Sequence, residues 1–364
     1  MRILNLTWSG GVGGIENLIL SIARDKSIHN EVCFIAKGGL IADELQKINV
    51  PVYYLRAKHG YSISALPKFL KILKVKDFDI VNVHNSPLAL LLAIIAKIIK
   101  GNFKIVLSEH DDISSKSKKE IFFYRLLKYF VNHYVAVSNY VKGSMVRAYK
   151  IPEAKINVIY NGIDLNKFKR KVLKNEKTFK ICYVGRLVPQ KGVDLLIKAF
   201  DIYWRDCLLA IADVKLVIVG DGPEKCKLES LVRNMGLDGA VEFTGYRRDI
   251  SELLQQADLF VYPSLYEEAF GISVVEAMAV GVPPIVFKKG GLMEVVNNEL
   301  NGFLTADTTE ASLSEEIKKA YRLFQENKLE EYSKSAITKA QCFSINNTVN
   351  NLRNYYIGLM SEKH

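Results

Sequence analysis

The sequence predicts an α/β protein of two doubly wound domains that face a central cleft, each a parallel sheet with helices on both faces. Three observations lead to this prediction. The chain has 364 residues, enough for two domains of ordinary size. Short β-rich runs alternate with helical stretches in both halves. A lysine-rich break, KFKRKVLKNEKTFK at 167–180, separates the halves.

The first half is predicted to contain strands of β-branched and aromatic residues with amphipathic helices between them. The predicted strands span 2–8, 31–36, 50–55, 79–84, 104–110 and 134–138. The predicted helices span about 14–24, 41–46, 64–75, 89–99 and 122–132. This order is typical of a parallel sheet whose crossover connections are helices.

The same alternation restarts after the break. The predicted strands there span 180–186, 214–220, 241–245, 259–264 and 283–287, and the predicted helices span 194–204, 224–235, 250–257, 272–281 and 345–360. We expect four regions: an N-terminal domain (1–165), a linker (166–180), a C-terminal domain (181–344) and a final helix (345–364). The final helix is expected to pack back on the N-terminal domain.

Composition excludes several classes of protein. With 49% hydrophobic and 24% charged residues, the chain is neither disordered nor a disulfide-rich scaffold. Its five cysteines are scattered and form no C-x-x-C pair, so no zinc knuckle is expected. The N-terminus reaches a glycine turn too early for a signal peptide, and the apolar run Leu88–Ala96 is too short to span a bilayer. A cytoplasmic location is therefore expected.

The excess of positive over negative charge lies almost entirely in the first half of the chain. Residues 1–165 contain 23 Lys+Arg and 13 Asp+Glu, whereas residues 166–364 contain 27 and 26. This asymmetry indicates contact with a polyanion, either nucleic acid or anionic lipid, although a merely basic domain would have the same composition. Residues 116–134 interleave cations with apolar side chains, as in either an interfacial helix or a buried helix with a basic rim.

A glycine-rich turn, SGGVGG at 9–14, follows the first predicted strand. Gly13 and Gly14 would let backbone N–H groups approach an anion at the start of the next helix. The turn is a poor dinucleotide fingerprint, because Glu16 stands where the third glycine belongs and Lys37 follows the second strand. Hydride-transfer chemistry is therefore disfavoured, while a tight turn without a ligand stays open.

Two pairs of charged residues mark the second half. Arg186 and Lys191 follow a strand in VGRLVPQKG, where two cations suit a diphosphate leaving group or are simply solvated. Glu268 precedes and Glu276 lies inside a helix predicted to begin at Ile272. The two carboxylates would contact different parts of one extended ligand, with phosphate at the helix N-terminus, or would be capping and surface residues.

The segment from Glu268 to Glu276, followed by AMAVGVP, closely resembles the E-x7-E signature of retaining GT-B glycosyltransferases of family 4. Further stretches resemble that family in order and spacing, so the resemblance covers nearly the whole chain. They are GGVGGIENL at 10–18, VSNYVK at 137–142, NGID at 161–164, GRLVPQKG at 185–192, GDGPE at 220–224, FTGYRRDI at 243–250 and GGLMEVV at 290–296.

The resemblance implies roles for the charged residues. Arg186 and Lys191 would contact the nucleotide diphosphate, Glu276 would bind ribose hydroxyls, and Glu268 would lie beside the transferred sugar. His110 corresponds to a histidine of the family's N-terminal domain, although Glu109 precedes it in this chain. The remaining expected donor-binding residues are Gly13, Gly14, Gly271, Ile272, Gly291, Leu292 and Met293.

The resemblance also implies an activity: a metal-independent retaining hexosyltransferase without a cofactor, acting on a nucleotide-diphosphate sugar, with a UDP-sugar favoured. The acceptor would be a glycan or a lipid-linked sugar in surface polysaccharide synthesis, such as lipopolysaccharide or capsule. The enzyme would sit peripherally on the inner face of the cell membrane. One alternative is a nucleotide-sugar 2-epimerase of the same fold. A nucleic-acid-binding protein is disfavoured because no RNP, KH or helix-turn-helix signature is present.

Overall fold

The computed structural model describes residues 1–11, 14–57, 63–170, 178–206 and 214–361. The chain forms two compact units, the first comprising Met1–Gly162 with Ile345–His364 and the second comprising Ile163–Ser344. The described residues of the expected linker, 166–170 and 178–180, lie in the second unit. Phe168 is buried there and Arg170 pairs with Glu330 at 2.8 Å. The high lysine content of this segment led to its prediction as a linker, although Phe168 and Arg170 anchor it to the second unit.

The first unit contains one parallel sheet in its described part, with the order β3-β2-β1-β4-β5-β6-β7. Its strands are β1 (Arg2–Thr7), β2 (His29–Phe34), β3 (Val52–Tyr54), β4 (Ile80–His84), β5 (Lys104–Glu109), β6 (His133–Ala136) and β7 (Ile156–Val158). Its helices up to residue 162 are α1 (Gly14–Ala23), α2 (Leu40–Lys47), α3 (Leu66–Val75), α4 (Pro87–Lys100), α5 (Lys118–Leu127) and α6 (Asn139–Tyr149).

Helix α4 shows how local sequence sets an element. Ser86 precedes it and accepts a hydrogen bond from the N–H of Ala89, while Pro87 occupies the first turn. Gly101 ends the helix in the left-handed conformation at φ 82°. The apolar residues between these caps are largely buried against the sheet. Across the described ranges, no helix combines the length and apolar character needed to cross a bilayer.

The second unit is also a parallel sheet, with the order β10-β9-β8-β11-β12-β13 among its described strands. These are β8 (Phe179–Val184), β9 (Val214–Val219), β10 (Val241–Gly245), β11 (Leu259–Tyr262), β12 (Pro284–Val286) and β13 (Phe303–Leu304). The helices are α7 (Val193–Asp206), α8 (Lys225–Met235), α9 (Ile250–Gln255), α10 (Ile272–Ala279), α11 (Leu292–Val295), α12 (Glu310–Gln325) and α13 (Leu329–Gln341).

The last helix, α14 (Ile345–Ser361), belongs to the first unit. Its Leu352, Tyr356 and Leu359 are buried in a cluster with side chains of the sheet and of α1. The buried members are Ile3, Leu18, Ile22, Ile28, Ile80, Val106, Val135, Ile159, Leu352, Tyr356 and Leu359. The first unit therefore completes its core with residues that follow the whole second unit in sequence.

Strand order reverses at one place in each sheet, between β1 and β4 in the first and between β8 and β11 in the second. Connections leave such a point toward opposite faces, so a crevice opens at the carboxyl ends of the two central strands. Ligands of doubly wound folds bind there. The carboxyl edge of each sheet is consequently the place to look for functional side chains.

Candidate functional site

The carboxyl ends of β8 and β11 bring together two residues predicted from sequence. The Lys191 ammonium lies 2.5 Å from Oε1 of Glu268, and both side chains are largely buried. Lys191 follows β8 by a short loop, and Glu268 lies in the loop between β11 and α10. Because both loops leave the sheet at its reversal point, residues 77 positions apart form a close ion pair.

Two residues that the sequence analysis missed complete this cluster. Ser264 donates a hydrogen bond to Oε1 of Glu268 at 2.6 Å, and the Tyr262 hydroxyl donates to the same oxygen at 3.2 Å. The Lys191 ammonium also lies 2.5 Å from the Tyr262 hydroxyl and 5.0 Å from the centre of its ring. Their signal in the sequence was polar groups at the end of an apolar strand, LFVYPS.

Glycines allow the loops around Glu268 to pack backbone against backbone. A Cβ at Gly291 would lie 2.2 Å from the carbonyl oxygen of Ala269, and the N–H of Gly291 donates to the carbonyl of Glu268 at 2.7 Å. Gly271 has φ 94°, and a Cβ there would lie 2.4 Å from Cδ2 of the buried Leu292. The loop carrying Glu268 is thus held against the start of α11.

The other predicted donor-binding residues surround this packing. Ile272 is the first residue of α10 and is half-buried, as the sequence predicts for a helix start after Gly271. Met293 is exposed at the start of α11. Arg186 is exposed just after β8, and its side chain makes no ion pair with other described residues. Arg186 is therefore an exposed cation near the reversal point of the sheet.

Glu276 lies in the second turn of α10 and is partly buried. Burial raises its pKa to about 7, and the charge of Lys167 opposes that rise. Within the described ranges no cation lies at ion-pair distance from this carboxylate. A carboxylate held without a cation is suited to accept hydrogen bonds from neutral hydroxyl groups.

The first unit has its own polar cluster, at the carboxyl ends of β4 and β5. Nδ1 of His84 lies 2.9 Å from Nε2 of His110, and both rings are buried and stacked. Nε2 of His84 lies 3.0 Å from Nδ2 of Asn82, which also donates to the Tyr356 hydroxyl of α14 at 2.9 Å. A chain of hydrogen bonds thus connects His110 to the C-terminal helix.

His110 is neutral at physiological pH. Burial, with a smaller contribution from the nearby Lys116 charge, lowers its pKa to about 3. With one ring nitrogen against His84, its Nδ1 is buried and has no hydrogen-bond partner among the described residues. A buried polar atom left in this state suits contact with a ligand. The signal in the sequence was a histidine at the end of each of two adjacent strands.

Glu109 is the last residue of β5, and its contacts differ from those of His110. The Glu109 carboxylate is buried and pairs with Lys116 at 2.8 Å, while the Tyr149 hydroxyl donates to it at 3.0 Å. Glu109 therefore has a structural partner of its own. Of the two predicted glycines of the first turn, Gly14 begins α1 and Gly13 lies outside the described residues.

No group of three or more His, Cys, Asp or Glu side chains among the described residues is arranged to hold a metal ion. The charged residues predicted for the edge of the second sheet are two cations, Arg186 and Lys191, and two carboxylates, Glu268 and Glu276. Such a set can bind an anion and hydroxyl groups of the same ligand.

Comparison with known proteins relates this arrangement to a family. Residues 12–167 match Glycosyltransferase Family 4, and residues 164–339 match Glycosyl transferases group 1. An uncharacterised glycosyltransferase of Methanocaldococcus jannaschii is 30% identical over 336 residues, covering 83% of this chain and 84% of that protein. The UDP-Gal:alpha-D-GlcNAc-diphosphoundecaprenol alpha-1,3-galactosyltransferase of Escherichia coli is 30% identical over 279 residues, covering 72% and 71%.

A solved structure agrees with these matches. Anabaena Alr3699/HepE, crystallised in complex with UDP and glucose, is 26% identical, and the two folds superimpose with a TM-score of 0.84. The similarity covers 98% of this chain and 100% of the other. The chain therefore belongs to the glycosyltransferases, with a family 4 part followed by a group 1 part and with two parallel-sheet α/β domains of the GT-B fold.

Proposed function

We propose that this glycosyltransferase transfers a hexose from a UDP-sugar to a lipid-linked or glycan acceptor in surface polysaccharide synthesis, with retention of anomeric configuration and without a metal. The observation that carries the proposal is the ion pair of Lys191 with Glu268 at the carboxyl edge of the second sheet, with Arg186 exposed just after β8 on the same edge. UDP as the donor nucleotide is supported by the UDP and glucose bound to the Anabaena protein. A lipid-linked acceptor is supported by the diphosphoundecaprenol acceptor in the name of the Escherichia coli relative.

In this proposal, Arg186 and Lys191 bind the diphosphate. Negative charge grows on the leaving diphosphate as its bond to the anomeric carbon breaks, and two preorganised cations stabilise it. Lys191 would exchange its contact with Glu268 for a phosphate oxygen when the donor binds. Glu268 would then be free to hold hydroxyls of the sugar while Ser264 and Tyr262 keep its carboxylate in place.

Retention is proposed on the resemblance of the Glu268-x7-Glu276 segment. The acceptor hydroxyl would attack the anomeric carbon on the face from which the diphosphate leaves, and its proton would pass to the departing phosphate oxygen. Glu276 would accept hydrogen bonds from the ribose hydroxyls, which suits a carboxylate without a cation. His110 would hydrogen-bond the substrate through Nδ1, the nitrogen without a partner among the described residues.

We further propose that helix α5 docks on an anionic membrane. Phe122 and Leu126 are 68% and 59% exposed, and their spacing of four residues places them on one side of α5. Tyr129, in the 3-10 turn that follows the helix, is 80% exposed. Exposed Lys118 and Lys119 begin the same helix. Lys116 does not share this role, although the sequence includes it in the basic segment, because it is bound to the buried Glu109.

Co-sedimentation with vesicles of varied phosphatidylglycerol content tests the docking proposal. Each basic residue near an anionic surface contributes about 1 kcal/mol, so binding should increase with anionic lipid and decrease with salt. Lys118/Lys119→Glu should reduce binding, and Phe122→Ser should reduce it without altering charge. Lys71/Lys74→Glu on α3 makes the same charge change elsewhere in the unit and should have less effect. Wild-type protein that stays in the supernatant at low salt would favour a soluble acceptor.

The transferase proposal is tested by measuring UDP release from a panel of UDP-sugars with and without acceptor. Transfer gives UDP together with a glycosylated acceptor, and its rate depends on acceptor concentration. The alternative activity, a nucleotide-sugar 2-epimerase, would change the sugar without needing an acceptor. Acceptor-independent conversion of the sugar in the absence of a glycosylated product would reject transfer.

A further inference from the structure

Two successive residues at the end of β4 hold His110 in the first unit. Nδ1 of His84 lies 2.9 Å from Nε2 of the His110 ring, and the two rings stack with 5.1 Å between their centres. Oδ1 of Asn85 accepts a hydrogen bond from the backbone N–H of His110 at 2.8 Å. The ring and the backbone of His110 are therefore both fixed, so its Nδ1, which has no partner among the described residues, has a defined direction.

Asn85 holds its position at a cost in backbone conformation. Its φ of 44° is left-handed, which costs free energy for a residue with a Cβ. The contacts of its side chain offset this cost, because Oδ1 accepts from the N–H of His110 and Nδ2 donates to Oδ2 of Asp111 at 2.6 Å. Asn85 therefore ties the end of β4 to the two residues that follow β5. Local strain of this kind is characteristic of functional sites.

A chain of asparagine amides determines what lies on the far side of His84. Nδ2 of Asn30 donates to the backbone carbonyl of Ile22 at 3.2 Å, so Oδ1 of Asn30 accepts from Nδ2 of Asn5 at 3.3 Å. Oδ1 of Asn5 is then directed toward Asn82, whose Nδ2 donates to it at 3.4 Å. The amide of Asn82 is thereby oriented with its N–H groups toward Asn5 and His84.

This orientation determines where the protons of the two histidines lie. Nδ2 of Asn82 is 3.0 Å from Nε2 of His84 and can only donate to it. Nε2 of His84 then carries no proton, so the proton of a neutral His84 is on Nδ1. Nδ1 donates to Nε2 of His110, which places the proton of a neutral His110 on its own Nδ1. Oδ1 of Asn5 favours the opposite tautomers, but it lies farther from Nε2 of His84, at 3.2 Å.

Both histidines are neutral, so each ring carries a single proton. Burial, with a smaller contribution from His110, holds the pKa of His84 well below its ordinary value, and burial also lowers the pKa of His110. Because one hydrogen bond joins the two rings, their tautomers are coupled. A change of tautomer at His84 would change the tautomer of His110.

We propose that His84 is a positioning residue for the transferase reaction. It donates from Nδ1 to Nε2 of His110 and so presents the Nδ1–H group of His110 as a hydrogen-bond donor to an oxygen atom of the substrate. His110 then binds an oxygen and does not remove the proton of the acceptor hydroxyl. This inference rests on the proposed function, in which that proton passes to the departing phosphate.

Nitrogen NMR of protein with isotope-labelled histidine tests the tautomers directly, because couplings between ring nitrogens and ring protons distinguish an Nδ1–H ring from an Nε2–H ring. The signals of His84 and His110 are assigned by their loss in the His84→Asn and His110→Ala variants. Both rings should be neutral and protonated on Nδ1 in the unliganded protein. An Nε2–H ring at His110, or a mixture of the two forms, would overturn the inference. No substrate is needed, so this result is independent of the proposed function.

Two substitutions of His84 separate the hydrogen bond from packing. His84→Leu removes the donor, so it should abolish the single Nδ1–H form of His110 and lower kcat about tenfold, as expected for one hydrogen bond. His84→Asn keeps an amide N–H near the place of the ring Nδ1, so it should preserve the tautomer and most of kcat. UDP affinity should be unchanged in both variants, because the proposed contacts to UDP lie in the second unit. Loss of kcat in His84→Asn equal to that in His84→Leu would contradict the positioning role.

A double-mutant cycle tests whether His84 acts through His110. In the His110→Ala background, His84→Leu should lower kcat no further. An equal loss of kcat in both backgrounds would mean that His84 acts only through packing, and would overturn the inference. His133→Leu, at the start of β6, is the control and should leave kcat unchanged. A wild-type protein without UDP-sugar transfer would reject the proposed function, and the NMR measurement would then decide the tautomers by itself.

Discussion

Lys191 and Glu268 have different partners in the proposed mechanism before and after the donor binds. Without a donor, each charge neutralises the other in a largely buried position, and Ser264 and Tyr262 satisfy the carboxylate further. An uncompensated charge in such a place is costly, so the pair keeps the empty site stable. In the proposed mechanism, the arriving phosphate would replace Glu268 as the partner of Lys191.

This exchange leads to a prediction for the cations. Lys191→Ala and Arg186→Ala should each slow transfer about 100-fold or more at saturating donor, because one preorganised donor to a developing charge is worth about 3 kcal/mol. Steady-state UDP release measures the effect. Lys198→Ala, on the exposed side of α7, removes a lysine of the same unit and should leave turnover unchanged. Turnover near wild type in either site variant would remove that residue from the leaving-group role.

A second residue-scale prediction concerns pH. Because the pKa of Glu276 is about 7, its carboxyl ionises between pH 6 and 8, and the ionised form is the better acceptor for ribose hydroxyls. Uridine, which has ribose but no titrating phosphate, should therefore bind about tenfold more tightly at pH 8 than at pH 6. Titration calorimetry measures this. Glu276→Gln should bind uridine weakly at both pH values, and a pH-independent affinity in the wild type would contradict the role.

A rise in pH should strengthen uridine binding through Glu276, but the same rise should lower the stability of the unliganded protein. Folding raises the pKa of Glu276 from 4.5 to about 7, so the folded chain holds its proton more tightly than the unfolded chain. The contribution to the free energy of unfolding is full below pH 4.5 and is lost as pH rises through 7. Denaturant unfolding of the unliganded protein should show this decline, and Glu276→Gln should lack it.

The sequence predicts charged residues for the candidate site but not the contacts between them. Motif spacing predicts Arg186, Lys191, Glu268 and Glu276. The first three lie in loops that follow strands, and Glu276 lies in the second turn of α10. The pairing of Lys191 with Glu268 joins two loops that are far apart in sequence, so it depends on which strands become neighbours. No local sequence pattern specifies which strands lie next to each other in the sheet.

At the scale of elements, Gly271 at the start of α10 packs closely against Leu292, the first residue of α11. The left-handed backbone of Gly271 turns the chain into α10 and leaves no space between its Cα and the side chain of Leu292. Movement of α11 would therefore be transmitted directly to the loop that carries Glu268. Packing without voids is what gives such a contact its stiffness.

We expect Gly271→Ala to lower the free energy of unfolding for two reasons. A left-handed alanine costs about 1 to 2 kcal/mol, and forcing a methyl group against Leu292 adds about 1 to 3 kcal/mol. Gly236→Ala is the matched control, because Gly236 has φ 70° but open space around its Cα. Thermal unfolding of both variants separates the two costs. If Gly271→Ala and Gly236→Ala lowered the free energy of unfolding equally, the contact between the new methyl group and Leu292 would have no energetic cost.

Predicted and observed elements differ where stop and start signals compete with hydrophobic periodicity. The structure begins α5 at Lys118, earlier than the predicted Phe122, because Ser117 and Glu120 form a reciprocal capping box. The edge strands β7 and β13 were not predicted, since segments of three and two residues carry too little periodicity. In contrast, α10 begins at Ile272 as predicted, because a left-handed glycine precedes it.

At the scale of the whole molecule, the first unit depends on α14. Leu352 is buried against the sheet, so Leu352→Ala should lower the free energy of unfolding by about 2 to 5 kcal/mol. Chemical denaturation measures this change. Ile357→Ala on the same helix is the control, because Ile357 is exposed and its truncation should cost little. Similar effects of both substitutions would contradict the packing of α14.

Alternation of strands and helices made both sheets predictable from the sequence, but not the order of strands within them. The reversal between β8 and β11 arises from the crossover directions of α7 to α9, which sequence periodicity does not specify. The sequence could therefore predict a site at the carboxyl edge of the sheet. Which loops lie side by side at that edge could be seen only in the structure.

The return of α14 to the first unit has a consequence for biosynthesis. The ribosome makes residues 1–162 first, yet the core that includes Ile3, Ile22 and Ile80 stays open until Leu352 and Tyr356 emerge. The second unit lies between these events, and its translation takes on the order of 10 to 40 s at usual rates of synthesis. The nascent first unit therefore exposes an apolar surface throughout that interval, which makes it a natural client for a chaperone at the exit tunnel.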